Sequence, residues 1–132
     1  MQRAKKKRGR KALITKLDKI FSKYIRARDI KCVVCGSEDH LQCGHLLSRI
    51  NYSTRWDEKN ANCQCGHCNI IHNNNPGPYM LWFIETYGKK ELHKLTKQYN
   101  EKIKYKNSDI KELIEVYTKK LAELENERER LI

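Results

Sequence analysis

Two Cys-x-x-Cys pairs are the residues of this chain best suited to chemistry. Cys32 and Cys35 form the first pair, and Cys65 and Cys68 form the second. Each pair lets two thiolates converge from one tight turn, and tetrahedral zinc takes four soft ligands of this kind. The spacing therefore predicts one structural Zn²⁺ site built from the four cysteines.

Two more cysteines, Cys43 and Cys63, lie outside these pairs. Cys63 precedes Cys65 by two residues, so the two would share one face of a strand. Cys63 is therefore an alternative zinc ligand. Otherwise we interpret Cys43 and Cys63 as small buried thiols.

The histidine between the two pairs, His45, suggests a second kind of chemistry. It follows the strand-like stretch Leu41-Gln42-Cys43 and precedes a polar loop that returns through Asn60 to the second pair. A strand, a loop, a strand and a helix around one divalent ion form the ββα-metal arrangement. There a histidine at the end of the first strand deprotonates the water that attacks a phosphodiester, and the metal stabilises the developing charge. The alternative is a core histidine or a further zinc ligand.

The charge of the chain indicates a polyanionic partner. The formal net charge is +12, and residues 1–12 contain no acid. We expect this tail to be disordered when free and to bind nucleic acid with a strong salt dependence. A merely solubilising tail is the alternative, but positive charge recurs through the body of the chain. The basic residues of the tail are Arg3, Lys5, Lys6, Lys7, Arg8, Arg10 and Lys11.

Composition limits the class of protein. A chain of 132 residues with 33% charged residues and a mean hydropathy of −0.86 can bury only a thin core. Such chains usually need a metal or a partner for stability. Six cysteines without a signal peptide indicate a reducing compartment, which we expect to be the cytoplasm, and metal thiolates rather than disulfides. No apolar stretch approaches the roughly 20 residues of a membrane span, so we expect no membrane partner.

Helical elements are expected to surround the cysteine-rich centre. Apolar residues recur at helical spacing over residues 13–29, from Leu13 to Ile25, and again after Pro78. A last helix is predicted over 108–131, and it either packs on its own domain or pairs with a second copy as a homodimer. The predicted organisation is a disordered basic tail (1–12), an N-terminal helix (13–29), a zinc-binding core (30–76) and a C-terminal helical region (77–132).

The order of these residues resembles the four-cysteine type of HNH endonuclease. In that family a first Cys-x-x-Cys pair precedes the catalytic histidine, and an asparagine that holds the loop comes before the second pair. A metal-binding histidine or asparagine follows directly. This chain has the same order in Cys32, Cys35, His45, Asn60, Cys65, Cys68 and Asn69. The resemblance implies that His45 is the general base, that Asn60 positions the loop and that Asn69 binds Mg²⁺ or Mn²⁺.

A more specific resemblance is to the phage NinG/Rap family of recombination endonucleases. It rests on Gly44-His45, the block from Arg55 to Asn60, Gln64-Cys65, Cys68-Asn69, Asn75 and Tyr79, and extends from about Leu13 to Leu124. It implies metal-dependent nicking of branched DNA, such as Holliday junctions and D-loops, in a phage-infected or prophage-bearing bacterium. The implied fold is α+β and mostly α, with a small zinc-stabilised ββα-metal core of the HNH or treble-clef type between N-terminal and C-terminal helices.

One position departs from the HNH pattern. Many members carry an acidic metal ligand directly before the catalytic histidine, where this chain has Gly44. Asp57, His72 and Asn73 are therefore further candidate magnesium ligands. The missing acid favours the alternative function, a non-catalytic zinc-finger module that binds nucleic acid. Arg49 and Arg55, which flank the loop, are candidate phosphate contacts, together with Lys5, Lys6, Lys7, Arg8 and Arg10 of the tail.

Overall fold

A computed structural model describes residues 2–131 of the chain. Within them the structure is mostly helical, with one small sheet, as the α+β prediction requires. None of the helices in this range has the length and apolar character of a membrane span. The elements in chain order are α1 (Gln2–Asp29), β1 (Leu41–His45), α2 (Tyr52–Arg55), β2 (Ala61–Cys65), α3 (Gly66–His72), α4 (Gly77–Tyr87), α5 (Lys89–Asn100) and α6 (Asn107–Arg130).

The first helix corrects the prediction of a disordered tail. Helix α1 begins at Gln2, so residues 2–12 continue the helix that was expected to start at residue 13. Lysine, arginine, glutamine and alanine are good helix formers, and only Gly9 interrupts them. Leu17, Phe21 and Ile25 are buried and hold the helix in place. Extending an existing helix toward the N-terminus costs little free energy, because the unfavourable nucleation step has already been made. The basic residues of the tail are therefore displayed on a helix.

The two strands form an antiparallel pair, in which Cys43 lies opposite Cys63 and His45 opposite Ala61. Helix α3 follows β2 directly and packs on both strands. The observed order of strand, loop, strand and helix is the order expected from the sequence. The antiparallel register places the start of β1 beside the start of α3, and the end of β1 beside the end of α3, where His72 contacts the Leu46 carbonyl.

Two apolar clusters hold these elements together. The larger joins α1 to α6 and includes Phe21, Trp56 and Tyr117. Tyr117 also donates a hydrogen bond from its hydroxyl to the Trp56 carbonyl at 2.7 Å. The smaller cluster packs α4 and α5 beneath Leu46. The apolar residues at the start of α6 are thus buried within their own chain, which is the first of the two packing alternatives.

Helix α1 ends in a polar network that ties it to β2. The Arg28 guanidinium donates to the carbonyls of Glu58 and Ala61 and to the side chain of Asn62, at 2.8, 3.0 and 2.9 Å. Asp29 accepts a hydrogen bond from the Cys63 backbone N–H at 2.8 Å. Both side chains are mostly buried. The network therefore fixes the direction of α1 relative to the sheet.

Candidate functional site

The four cysteines of the two pairs meet in space. Their Sγ atoms all lie within 4.8 Å of one another, and those of Cys35 and Cys65 are 3.7 Å apart. A zinc tetrahedron with Zn–S bonds of about 2.3 Å separates its sulfurs by roughly 3.8 Å. The cluster thus has the dimensions and ligand type to hold Zn²⁺, as the spacing predicted.

Backbone groups support the thiolate form at this cluster. The N–H of Cys35 points to the Cys32 sulfur, and that of Cys68 to the Cys65 sulfur. Burial acts to raise the pKa of Cys32, but hydrogen bonds from backbone N–H groups outweigh it and lower this pKa to about 7. These contacts favour the thiolate of Cys32. At Cys35 a hydrogen bond from the Ser37 backbone acts to lower the pKa, but the neighbouring thiols outweigh it and raise this pKa. Burial together with neighbouring thiols raises the pKa of Cys68. A bound cation would offset the crowding of four sulfurs.

Cys43 and Cys63 lie outside the cluster. They face each other across the two strands, and burial raises the pKa of Cys63 to about 11 and that of Cys43 to about 12. Neither belongs to the group of sulfurs that lie within 4.8 Å of one another, so neither is placed to bind the zinc. Cys63 is a buried thiol, as interpreted, whereas Cys43 is only partly buried and lines the cavity beside His45.

The loop between the strands is organised by Asn60, which is fully buried. Its side-chain oxygen accepts from the Leu47 N–H at 2.8 Å, and its amide donates to the carbonyls of Leu47 and Thr54 at 3.1 and 3.0 Å. One side chain thus joins both arms of the loop. Asn60 does not line the cavity that contains His45, so its role is to position the loop.

Replacing Asn60 with alanine should lower the free energy of unfolding by about 2–4 kcal/mol, because it leaves buried loop groups without partners. Urea denaturation measures this change. Asn126→Ala, at an exposed position of α6, is the control and should change the free energy by less than about 0.5 kcal/mol. Equal stability of the two variants would contradict the role given to Asn60.

His45 is held by the far side of the same loop. Its Nε2 lies 2.8 Å from the backbone carbonyl oxygen of Arg55. A carbonyl only accepts, so Nε2 carries the proton and Nδ1 keeps a free lone pair. Burial lowers the pKa of His45 below its usual value, and the positive charge of Arg49 acts in the same direction. The imidazole is therefore neutral at pH 7 and able to accept a proton at Nδ1.

A cavity of about 450 Å³ lies between His45 and α3. His45, Arg49, Asn69, His72 and Asn73 all line it. His45 is not part of the cysteine cluster. The structure thus brings a neutral histidine and two asparagine amides to one cavity, beside the zinc cluster.

His72, a candidate magnesium ligand, has a mixed environment. Its Nε2 donates to the Leu46 carbonyl at 2.8 Å, which ties α3 to the loop. Its Nδ1 is buried and has no hydrogen-bond partner among residues 2–131. Because magnesium prefers oxygen ligands, this nitrogen is a weaker candidate than the amide oxygens of Asn69 and Asn73.

Gln42 was not singled out from the sequence, yet it makes the direct contact with Asn69. Its Oε1 accepts a hydrogen bond from the Asn69 Nδ2 at 2.9 Å. Gln42 and Gly44 share one face of β1, so the alternation of the strand was the available signal. The contact places two amide groups, from a strand and from a helix, at one point.

Gly44 cannot carry the acid of the HNH pattern without rearrangement. A Cβ atom built at Gly44 would lie 2.0 Å from the side-chain oxygen of Gln64. Gln64 is 1% exposed, and its amide has no hydrogen-bond partner within residues 2–131. The Gln64 side chain therefore occupies the space that an acidic side chain at position 44 would need.

Two of the candidate site residues, Asp57 and Arg55, do not line the cavity that contains His45. Asp57 accepts from the Lys59 N–H at 2.8 Å and from Gln98 at 3.2 Å, in a different cavity from that of His45. It is therefore not placed to bind a metal with Asn69. Arg55, a candidate phosphate contact, is only 12% exposed and is paired with Asp18. The sequence offered no sign of this ion pair because 37 positions separate its partners.

Arg49 and the basic residues of α1 remain accessible. Arg49 is 59% exposed, makes a 3.2 Å ion pair with Asp18 and lines the cavity beside His45. Lys5, Lys6, Lys7 and Arg8 are exposed on α1, whereas Arg10 is half-buried and donates to Asn107 at 3.0 Å. Their contacts with nucleic acid stay a prediction.

The donor set fits a hard divalent cation weakly. The amide oxygens of Asn69 and Asn73 are hard ligands of the type that Mg²⁺ accepts. However, no carboxylate is found among the described residues that line the cavity. Neutral ligands hold such ions less tightly than charged ones, so much of the negative charge would have to come from a bound phosphate.

Comparison with known proteins identifies one family. The family model described as "Bacteriophage Lambda NinG protein" matches residues 1–127. "Protein ninG" of Escherichia phage 933W is 27% identical over 106 residues, and so is "Protein ninG" of Enterobacteria phage VT2-Sa. Each match covers 78% of this chain and 52% of the relative, so the chain spans about half the length of these curated relatives. No solved structure gives a significant match.

Proposed function

Because this chain belongs to the bacteriophage lambda NinG family, we propose that it is a metal-dependent endonuclease that nicks branched DNA. The observation that carries the proposal is the placement of His45, a neutral imidazole oriented by the Arg55 carbonyl and sharing a cavity with Asn69. A plain zinc module has no need for this pair. The net charge of +12 supports a DNA substrate.

In the proposed reaction His45 acts as general base. Its Nδ1 takes a proton from a water molecule, whose oxygen forms a bond to phosphorus while the bond to the 3′ oxygen breaks. The 2.8 Å hydrogen bond from Nε2 to the Arg55 carbonyl keeps the imidazole in the required tautomer and stabilises its charge after protonation. Asn60 maintains this alignment by holding the loop.

Asn69 and Asn73, which line this cavity, would hold the divalent cation through their amide oxygens, with Gln42 beside Asn69. When bound, such an ion stabilises negative charge on the phosphate and on the leaving oxygen. Arg49, exposed at the rim, would contact a phosphate. The reaction would take place in the cytoplasm of a phage-infected or prophage-bearing bacterium. Paired cutting of a Holliday junction would require two copies, with α6 as the candidate contact.

The test is a nicking assay of the zinc-loaded protein on a labelled four-way junction, with added Mg²⁺ or Mn²⁺ and without EDTA, which would also remove zinc. We expect nicks near the branch point that depend on the added metal. A protein that binds the junction but cuts with neither metal would contradict the proposal. It would favour the second candidate, a non-catalytic zinc module, which the lack of a carboxylate in the cavity supports.

The proposed metal site can be tested with one variant that should weaken metal binding and one that should strengthen it. Asn69→Ala should reduce cleavage and Mn²⁺ affinity at least about tenfold. Gln42→Glu should increase Mn²⁺ affinity about tenfold, because it puts a carboxylate beside Asn69 at the same side-chain length. Electron paramagnetic resonance titration with Mn²⁺ measures both effects.

Asn74→Ala is the control for this pair, since Asn74 is exposed just beyond α3 and does not line the cavity. Zinc content should be unchanged in all three variants. If Gln42→Glu and Asn69→Ala both bind Mn²⁺ with wild-type affinity, the metal lies elsewhere.

A further inference from the structure

A second cavity adjoins His45 on the side of α1. Its volume is about 310 Å³, and it lies between one edge of α1 and strand β1. His45 and Arg49 line this cavity as well as the one that contains Asn69. His45 therefore stands between two neighbouring cavities, of which the proposed chemistry uses only the one at α3.

Arg26 gives the second cavity its charge. Residues 18, 22 and 26 are each four apart, so they form one edge of α1 facing β1. The Arg26 Nε donates to the hydroxyl and the carbonyl of Ser22, both at 3.2 Å. Its two Nη groups have no acceptor among residues 2–131. One side of the guanidinium is thus anchored while the other is free to bind a ligand.

The acid in this cavity does not neutralise Arg26. Asp18 accepts from Arg55, from Arg49 and from the indole of Trp56. Those hydrogen bonds, working against burial, lower its pKa, so it stays ionised and committed to these partners. Arg26 makes no ion pair within the described chain. The cavity therefore presents an unpaired guanidinium beside the polar side chains of Ser22 and Gln42.

We propose that this cavity binds the phosphodiester group next to the one that is cleaved, with Arg26 as its bidentate ligand. The inference rests on the proposed function, because it assumes that a DNA strand brings a phosphate to His45. A strand lying across His45 has a neighbouring phosphate on each side, and one side is this cavity. A planar guanidinium fork matches two phosphate oxygens. A cavity of about 310 Å³ has room for one sugar-phosphate unit of a strand that passes over it.

The test measures binding without cleavage. Wild type, Arg26→Gln, Arg26→Lys and Lys23→Gln are titrated into a fluorescent four-way junction without Mg²⁺ or Mn²⁺. Lys23 is the matched control, since it is exposed on α1, outside this cavity. Arg26→Gln should weaken binding about tenfold or more, and Lys23→Gln about twofold. Arg26→Lys should also weaken binding severalfold, because it keeps the charge but loses the fork.

The outcomes separate this inference from the proposed function. If both Arg26 variants bind no more weakly than Lys23→Gln, Arg26 contributes only general charge and the inference is overturned. Arg26→Lys decides the matter if Arg26→Gln fails to bind zinc or to fold. If the wild type never cuts but the Arg26 variants lose affinity as expected, the nuclease proposal fails while the phosphate site stands. A wild type that does not bind DNA overturns both.

Discussion

Replacing Cys65 with serine should release zinc and unfold the centre of the protein. The four cysteines come from the loop after α1, from the end of β2 and from α3, so the metal joins three segments. The core around them is small, and its two apolar clusters do not include the cysteine loop beyond Val33 and Val34. Zinc binding at such sites contributes about 10–16 kcal/mol, whereas whole domains are stable by about 5–15 kcal/mol. If the loss of one ligand releases the zinc, the free energy lost is therefore expected to be larger than the free energy of unfolding of the domain.

Metal analysis and circular dichroism measure this effect. The wild type should contain one zinc per chain and melt cooperatively, while Cys65→Ser should lose the zinc and the cooperative transition. Cys43→Ala is the matched control, because Cys43 is a neighbouring thiol outside the cluster and should leave one zinc bound. If Cys65→Ser retains a full equivalent of zinc and melts like the control, the four-cysteine site is not what holds the centre together.

The second large effect is expected at His45. His45→Ala should lower the rate of junction cleavage by about 10²–10⁴-fold, the usual contribution of a general base. Binding of the junction should change little, because a neutral imidazole contributes no charge to the interaction with phosphates. A large loss in cleavage rate with a small change in DNA affinity would identify a catalytic residue. A plain nucleic-acid-binding module has no cleavage rate to lose.

The pH dependence gives an independent check on His45. Burial lowers its pKa below the ordinary value of 6.5, so the neutral, proton-accepting form already dominates at pH 7. Cleavage should rise with pH through this lowered pKa and level off at or below neutral pH. Single-turnover rates between pH 4.5 and 8 measure the profile. His93→Ala, at an exposed position of α5, should reproduce the wild-type profile and rate. A rate that still falls steeply from pH 8 to pH 7 would assign the base to another group.

Local spacing predicted the parts of the site that depend on local geometry. A Cys-x-x-Cys pair makes its own turn, so the four-cysteine cluster followed from the positions alone. The order of strand, loop, strand and helix also followed, because each element has its own periodicity. The resemblance to the HNH pattern, and not local spacing, implied that Asn60 holds the loop, and Asn60 makes three hydrogen bonds within that loop.

Contacts between distant parts of the chain could not be predicted in this way. Asp18 lies on α1, and the residues next to it in the sequence do not indicate that it pairs with Arg55, which lies 37 positions later. The contact of Gln42 with Asn69 likewise depends on how α3 crosses β1. The fit of Gln64 against Gly44 gives a physical reason for the missing acid, which the sequence showed only as a departure from a pattern.

The basic tail illustrates a conflict between charge and helix propensity. A run of positive residues without acids favours an extended, disordered chain. The same residues are also good helix formers, and here they continue a helix that is already nucleated by packing. Charge predicts a polyanionic partner for this segment, which stays a prediction, but it did not predict the helical conformation.

The network of Arg28 and Asp29 fixes the end of α1 to the sheet. The helix therefore sets the distance between the basic residues at its start and the site at its end. From Arg26 to Lys5 the helix extends for roughly 32 Å at 1.5 Å per residue. That distance corresponds to about nine base pairs of B-form DNA at 3.4 Å each. A strand bound at Arg26 and a duplex arm bound at Lys5 would be held at this distance from each other. The protein's footprint on such an arm would therefore end abruptly, and an arm shorter than this length would lose the contact with Lys5.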